Sequence, residues 1–294
     1  MSISYHRKSI KASSIREDTP ARVIIAGGVA TVIASSQGGQ APATVRIAGG
    51  LYVRRDTGEV IDPASEGCDG AASRARSLSE SMARLRDVIN SGCKPGSVWA
   101  THTYRACVRD TRAVYDDWEA YIRWARRYTA RRIEYISAIE PQARGAWHIH
   151  GILIPGADDP RPIYIPQGEA LAAWRRIAAK RMPEGDTRTS GGVHLHRIED
   201  GGDNLGAYLS AYLTDTCGKK GGRLSLYPPG VRFYRVSRGV ERPREIAGLT
   251  LAEARALAEE ATGGAPAAYQ AAYAVEDSLG RCVAFGYREQ YKKK

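Results

Sequence analysis

The sequence predicts an α+β fold with a central, mainly antiparallel sheet flanked by helices. Short β-type runs recur along the chain, and helical patterns of apolar residues lie between them. Two of the predicted strands follow each other directly, which indicates a hairpin rather than a strict strand–helix alternation. With 294 residues and 43% hydrophobic content, the chain can bury one substantial core or two modest ones.

Residues 1–70 are predicted to form a small β-rich extension. Its β-type runs, such as ARVIIA at 21–26 and TVRIA at 44–48, are interrupted by glycine pairs. The longest apolar stretch, residues 23–34, contains a Gly-Gly pair that predicts a bend in a strand, and it is shorter than the roughly 18 residues that span a bilayer. The basic N-terminus has no apolar signal region and the five cysteines are scattered, so we expect a cytoplasmic protein without membrane contact.

Residues 71–249 are predicted to form the main domain, beginning with a helix over 73–90 that Gly92 ends. Residues 98–108 alternate as a strand, and Asp110 is placed to cap the next helix. That helix has the apolar stripe Val114, Trp118, Ile122 and Ala125.

A hairpin of strands over 131–140 and 146–154 follows, joined by the turn-like PQARG. The remaining predicted elements are a helix over 167–182, a strand over 192–198, a short helix opening near Asp203 or Asn204, a strand over 230–238 and a helix over 250–262. Residues 250–294 are expected to be a C-terminal extension that is helical and otherwise loose.

The charge of the chain indicates a polyanionic partner. The net charge is +11, and residues 71–250 carry ten of these charges, with 29 lysines and arginines against 19 acidic residues. The predicted main domain therefore carries almost all of the positive excess.

A first group of candidate residues lies in the predicted hairpin. His148 and His150 alternate within a strand, so both imidazoles face one side, and Glu140 ends the preceding strand. Pairing across the hairpin then brings a carboxylate beside two imidazoles, a mixed donor set that suits Mg²⁺ or Mn²⁺ acting on a phosphate. A second pair, His194 and His196, is also strand-like but has no acidic partner at hairpin spacing, and remains an alternative metal pair.

A second group consists of Tyr208 and Tyr212, which are spaced to lie on one face of a helix. Two aromatic residues at this spacing also occur at the edge of an ordinary core. A tyrosine is a poor nucleophile at neutral pH, but a metal that polarises a phosphodiester lowers the barrier for its attack. The metal site and the tyrosines therefore explain each other.

These motifs together resemble the HUH endonucleases, in particular the rolling-circle replication initiator (Rep) proteins of plasmids and phages. His148-Ile149-His150 matches the family's His–hydrophobic–His motif, and Glu140 stands where such proteins carry a third metal ligand. Upstream, Thr101-His102-Thr103-Tyr104 resembles the first strand motif, with His102 in place of an aliphatic residue, so we expect that side chain to be structural or to face DNA. Downstream, GAYLSAYLTD at 206–215 resembles the two-tyrosine helix. Relaxases place the tyrosine before the HUH motif, so the order favours Rep proteins.

The resemblance implies an HUH endonuclease fold and a metal-dependent nickase that cuts and rejoins single-stranded origin DNA. Tyr208 or Tyr212 would attack the phosphate, leaving a 5′-phosphotyrosyl link and a free 3′-OH. Glu140, His148 and His150 would hold Mg²⁺ or Mn²⁺. We find no P-loop, so a host helicase, with the host polymerase, would act as partner in a bacterial or archaeal cell; the sequence leaves the oligomeric state open.

Basic residues near these motifs are candidates for contact with the DNA backbone, although a solvated helix face would look the same. They are Arg123, Arg126, Arg127, Arg131, Arg132, Arg144, Lys219 and Lys220. Two alternatives to a replication initiator stay open. One is a two-tyrosine HUH transposase, which would use the same chemistry. The other is a non-catalytic DNA-binding module, favoured by Ala211 and Asp215 at positions where the family commonly has lysine.

Overall fold

A computed structural model describes residues 6–35, 44–46, 52–54, 60–61, 70–142, 144–198, 227, 230–276 and 282–293. The strands are β1 (His6–Ser9), β2 (Pro20–Ala26), β3 (Val29–Ser35), β4 (Thr44–Arg46), β5 (Tyr52–Arg54), β6 (Val60–Ile61), β7 (Val98–Tyr104), β8 (Ile133–Pro141), β9 (Trp147–Pro155), β10 (Gly191–Arg197), β11 (Tyr234–Val236), β12 (Arg244–Thr250), β13 (Ala267–Glu276) and β14 (Cys282–Lys292). The helices are α1 (Gly70–Gly92), α2 (Thr111–Thr129), α3 (Gln167–Ala178) and α4 (Leu251–Ala261).

The chain divides into two compact units, one of residues Arg74–Glu241 and one of Met1–Ser73 with Arg242–Lys294. The Arg74–Glu241 unit contains a five-stranded antiparallel sheet in the order β10-β7-β9-β8-β11. This arrangement confirms the predicted α+β class with an antiparallel sheet flanked by helices, and it is compatible with an HUH-type fold.

One face of the five-stranded sheet is packed by α2 and α3. Trp118 of α2 lies directly over Gly151 of β9, where even a methyl group on Gly151 would come within 2.1 Å of the indole. Asp110 caps α2 by accepting a hydrogen bond from Arg112 N, and the predicted apolar stripe of α2 is buried, both as the sequence indicates. The missing side chain at Gly151 therefore sets how closely α2 approaches the hairpin.

The opposite face of the sheet carries Ile136 of β8, which lies against Gly92 at the end of α1. Met82, Leu85 and Ile89 of α1 are buried in the core of this unit, as their helical spacing predicts. Residues four apart in a strand share a face, so Glu140 lies on the same side as Ile136. The sheet thus separates the face of α2 and α3 from the face of Glu140.

The second unit contains a six-stranded antiparallel sheet in the order β1-β13-β14-β3-β2-β12 and a small sheet of β4, β5 and β6. Leu251, Ala254 and Ala258 of α4 share its core with Val23 and Val32. The Gly-Gly pair at 27 and 28 forms a two-residue hairpin turn between β2 and β3 rather than the predicted bend, and Gly27 adopts a positive φ of 57°.

The C-terminal segment differs most from the expectation. The loose tail that the sequence predicts after residue 262 is instead the β13–β14 hairpin, and β12 was absent from the prediction. Alanine dominates β13, and the inward position Glu289 of β14 is charged, so neither strand shows a clear apolar alternation. The division into 1–70, 71–249 and 250–294 stays a prediction.

Candidate metal centre

Three side chains with metal-binding donors come together on the β8–β9 hairpin. Glu140 lies directly opposite His148, and His150 lies two residues further along β9, opposite Ala138. Opposed residues of an antiparallel pair share a face, and side chains alternate along a strand, so all three point to one side of the sheet. All three are buried. The structure therefore brings together the cluster that the sequence proposes.

The donor atoms of this cluster form a tight triangle. His148 Nε2 and His150 Nε2 lie 3.1 Å and 3.0 Å from Glu140 Oε2, and the two imidazole nitrogens are 2.9 Å apart. Lone pairs this close repel each other unless a proton or a metal ion lies among them. Adjacent ligands of an octahedral ion with bonds of about 2.1 Å are about 3.0 Å apart, so the spacing fits one face of such a shell.

The protonation states of the cluster also suit a metal. Burial opposes ionisation of Glu140, but hydrogen bonds from His148 and His150 outweigh it and lower the pKa of Glu140 to about 2. Burial lowers the pKa of His150 below 6.5, against the opposing effect of its hydrogen bond to Glu140. At neutral pH these groups are a carboxylate and a neutral imidazole, the forms in which they bind metals. No other group of three or more His, Cys, Asp or Glu donors converges in the described part of the chain.

Strand β7 holds the other ring nitrogen of His150. Nδ1 lies 3.3 Å from Thr101 Oγ1, and Trp99 Nε1 donates a 3.1 Å hydrogen bond to the same oxygen. A neutral imidazole that offers Nε2 to a metal carries its proton on Nδ1. Thr101 Oγ1 is placed to accept a hydrogen bond from that N–H group. Contacts of this kind fix the tautomer and orientation of a ligand. Thr101 belongs to the first strand motif, but no local pattern indicated this role.

The predicted nucleophiles Tyr208 and Tyr212 lie outside the described residues, as do Lys219 and Lys220. Their roles stay predictions from the sequence.

Most of the predicted DNA-contacting arginines lie away from the cluster. Arg131 and Arg132 precede β8, whereas Glu140 lies near its far end. Arg131 pairs with Asp159 at 2.6 Å and Arg132 with Glu134 at 2.7 Å. Three of the other predicted arginines lie in α2, where Arg126 donates to Ile133 O and Arg123 and Arg127 are exposed. Arg144 lies in the β8–β9 turn, four residues along the chain from both Glu140 and His148. DNA contact by these residues stays a prediction.

The second His-x-His pair lies on the edge strand β10, with His194 opposite Thr101. Both His194 and His196 are exposed, and no acidic side chain of the described residues converges on them. The geometry therefore favours His148 and His150 as the metal pair.

His102 is fully buried on the face of α2 and α3. Its ring lies against Tyr121, Trp174 and Trp118, with centroid distances of 4.2, 4.7 and 5.4 Å. The expectation of a structural role is confirmed, and contact with DNA is excluded by burial.

Two basic residues near the cluster were missed by the sequence analysis. Arg105 and Arg188 line one cavity with Arg144. The three arginines come from three separate segments of the chain, so no local pattern links them.

Comparison with known proteins bears on the segment that carries these motifs. No curated protein matches the chain. No helix among the described residues is long and apolar enough to cross a membrane. Residues 97–217 match the model of a family described as replication-associated protein, and this stretch includes β7 to β10, the cluster and both predicted tyrosines. This similarity to a replication-associated family over residues 97–217 agrees with the predicted Rep-type initiator.

Proposed function

We propose that the protein initiates rolling-circle replication by nicking and rejoining single-stranded origin DNA. The observation that carries the proposal is the Glu140–His148–His150 triangle, which lies within the segment that matches the replication-associated family. Ordered motifs in the same segment supply candidate nucleophiles downstream of the cluster. The family match supports replication over the transposase alternative.

Glu140, His148 and His150 would hold Mg²⁺ or Mn²⁺, hard ions that accept a carboxylate and imidazoles and leave positions for phosphate oxygens. A bound ion of this kind polarises a scissile phosphate. Thr101 fixes the His150 ring through Nδ1, and Trp99 in turn orients the Thr101 hydroxyl. The chain's own contribution at this face is therefore a rigid donor set on two paired strands.

The covalent step is assigned to Tyr208 or Tyr212. The phenolic oxygen forms a bond to phosphorus while the bond from phosphorus to the 3′-oxygen breaks, and the phenolic proton ends on that oxygen. The products are a 5′-phosphotyrosyl link and a 3′-OH that can prime synthesis. Attack of a 3′-OH on the link reverses the step and rejoins the strand without ATP, because each bond broken is replaced by one of similar energy.

Trapping of a covalent protein–DNA adduct tests the proposal. Single-stranded fragments that tile the replicon encoding the protein are labelled, incubated with Mn²⁺ and resolved on a denaturing gel. We expect one fragment to give an adduct, and mass spectrometry of its peptides to place the nucleotide on Tyr208 or Tyr212. A wild-type protein that binds these fragments without forming an adduct would favour the non-catalytic module.

The matched control is Tyr164→Phe, which removes one phenolic hydroxyl as the test variants do. Tyr164 is the most exposed large hydrophobic residue of the described chain. We expect Tyr164→Phe to form the adduct and the double variant Tyr208→Phe, Tyr212→Phe to lose it. An adduct with the double variant would refute the assignment of the nucleophiles.

A further inference from the structure

A cavity of about 600 Å³ lies where β7 ends and β10 begins. Its lining combines arginines with threonines and glycines, among them Thr103, Arg105, Arg144, Arg188, Gly191 and Gly192. Cavities of roughly 300–1,000 Å³ accommodate small molecules of nucleotide size. Three guanidinium groups around one such space indicate an anionic occupant, since arginine binds phosphate groups with high geometric fit.

Two of the three guanidinium groups are held in place by the protein. Arg144 donates to Gln142 Oε1 at 2.9 Å, to Arg105 O at 2.8 Å and to Tyr104 O at 2.5 Å. Arg188 makes a bidentate pair with Asp186 at 2.8 and 2.6 Å. Both charges are therefore positioned before any ligand arrives, which reduces the entropy lost on binding.

The third guanidinium group is available to a ligand. Arg105 is exposed, and its side chain makes no hydrogen bond or ion pair with the described residues. With Asp186 counted against the three arginines, the surroundings of the cavity keep a net positive charge.

Backbone and hydroxyl groups complete the lining. Gly192 lies opposite Thr103 in the β7–β10 pair, and a methyl group on Gly192 would come within 3.0 Å of Thr103 Oγ1. Gly191 and Gly192 contribute backbone to the lining, and the hydroxyls of Thr103 and Thr189 add polar groups that can bind phosphate or sugar oxygens.

The cavity adjoins the metal centre. Thr103 lies two residues along β7 from Thr101, which contacts His150, so both hydroxyl side chains are on the same face of the sheet. Arg144 belongs to the turn that joins Glu140 and His148 through β8 and β9. A strand whose phosphate lay at the cluster would therefore have neighbouring nucleotides within reach of the cavity.

We propose that this cavity binds a nucleotide of the single-stranded DNA substrate next to the cleaved linkage, with its phosphate on Arg105 and Arg188. This inference rests on the proposed function, because it names a binding subsite beside the same metal centre. The subsite holds the strand in register with the cluster through backbone contacts that do not depend on sequence.

The test measures equilibrium binding of fluorescein-labelled oligodeoxythymidylate, about 15 nucleotides long to span one single-strand site, in EDTA over a range of salt concentrations. We compare wild type with Arg105→Gln, Arg188→Gln and the matched control Arg238→Gln, which removes an exposed charge beyond β11. Each cavity variant should weaken binding about tenfold and reduce the slope of log K against log salt by about 0.7, the value for one neutralised phosphate of a single strand. The control should bind as wild type does.

Equal affinity and slope in Arg105→Gln and wild type would overturn the proposal. Arg105 makes no hydrogen bond or ion pair among the described residues and acts on Asp186 only through its charge, so its variant should keep the fold. Arg188→Gln, in contrast, also breaks the pair with Asp186. A loss of binding in Arg238→Gln equal to that in Arg105→Gln would also overturn it, because general charge would then explain the effect. The adduct assay is run on the same proteins. If wild type forms no adduct, the proposed function is contradicted. If wild type forms the adduct but Arg105→Gln binds DNA as tightly as wild type, only the assignment of the cavity as a nucleotide subsite is contradicted.

Discussion

At the scale of single residues, the Glu140–His148–His150 cluster has a supporting contact from a hydroxyl group outside it. Thr101 Oγ1 of β7 lies beside His150 Nδ1 and also accepts the hydrogen bond from Trp99, whose ring contacts His150 as well. A ligand histidine whose second nitrogen is free can rotate or change tautomer, which costs affinity for the metal.

Thr101→Val should therefore weaken Mn²⁺ binding by about 10- to 100-fold, because it removes the hydroxyl while keeping the shape of the side chain. Isothermal titration with Mn²⁺ measures this, and Thr101→Ser, which retains the hydroxyl, should restore most of the affinity. Equal affinities for the threonine and valine proteins would show that the contact does not support the ligand.

His102 shows a different residue-scale effect, because burial keeps its ring neutral. Neither of its nitrogens has a hydrogen-bond partner among the described residues. Burial and, secondly, the charge of His150 lower the pKa of His102 to about 3. In the unfolded chain the imidazole binds a proton below about pH 6.5, whereas in the folded protein it does not until about pH 3. The protein therefore loses stability as the pH falls from 6.5 toward 3.

His102→Leu removes this loss. We expect the variant to be within about 1 kcal/mol of wild type near neutral pH, and wild type to lose roughly 1 to 2 kcal/mol more than the variant by about pH 5. Urea unfolding followed by tryptophan fluorescence reports on the unit that contains His102, because all five tryptophans lie in Arg74–Glu241. If the free energy of unfolding changed with pH in the same way for the two proteins, His102 would be ruled out as the source of the pH dependence.

At the scale of elements, the contact of α2 with β9 positions the strand that carries both histidines. Gly151 follows His150 directly, and the indole of Trp118, fully buried, occupies the space where its side chain would be. A second tie holds α2 to the neighbouring elements: Asp117 accepts hydrogen bonds from Tyr104 of β7 and from Arg181, which follows α3.

Gly151→Ala should destabilise the Arg74–Glu241 unit by about 1 to 3 kcal/mol and weaken Mn²⁺ binding, because the added methyl group forces α2 and β9 apart. Gly168→Ala is the matched control: nothing lies within 4 Å of the new methyl group in the first turn of α3, so stability should be unchanged or rise by up to about 1 kcal/mol. Urea unfolding of both variants checks the pair. A Gly151→Ala protein as stable as wild type would contradict the close packing.

The buried carboxylate of Asp117 offers a separate element-scale test. Asp117→Ala leaves Arg181 and Tyr104 without their common acceptor, so we expect a loss of about 3 kcal/mol in the free energy of unfolding. Tyr104→Phe removes one hydrogen bond and should cost only about 1 kcal/mol. Chemical unfolding measures both, and a smaller loss for Asp117→Ala than for Tyr104→Phe would contradict the assignment of Asp117 as the shared partner.

At the scale of the whole molecule, the sequence predicted features set by local patterns. The β8–β9 hairpin followed from two alternating runs around a turn, and strand geometry then sufficed to place Glu140 beside His148 and His150. The cap at Asp110 followed in the same way. These features depend on residues that are close in sequence, which is why they could be predicted.

Features set by tertiary contacts were missed. Glu289 is buried in β14 because Arg255 and Tyr287 provide partners for its carboxylate, so a charged residue interrupts the apolar pattern that would mark a strand. The three arginines of the cavity meet only in the folded protein, where β7 pairs with β10 and Arg144 packs against the end of β7. No window of the sequence contains this information.

The central claim is that the reaction takes place at the Glu140–His148–His150 cluster on this face of the sheet. It is tested most directly by the Mn²⁺-dependent yield of covalent protein–DNA adduct from His148→Ala and His194→Ala, two identical changes in the two His-x-His pairs. We predict that His148→Ala loses the adduct while still binding single-stranded DNA, and that His194→Ala forms it at the wild-type level. Full adduct yield from His148→Ala, with loss in His194→Ala, would contradict the account and move the metal to the edge strand.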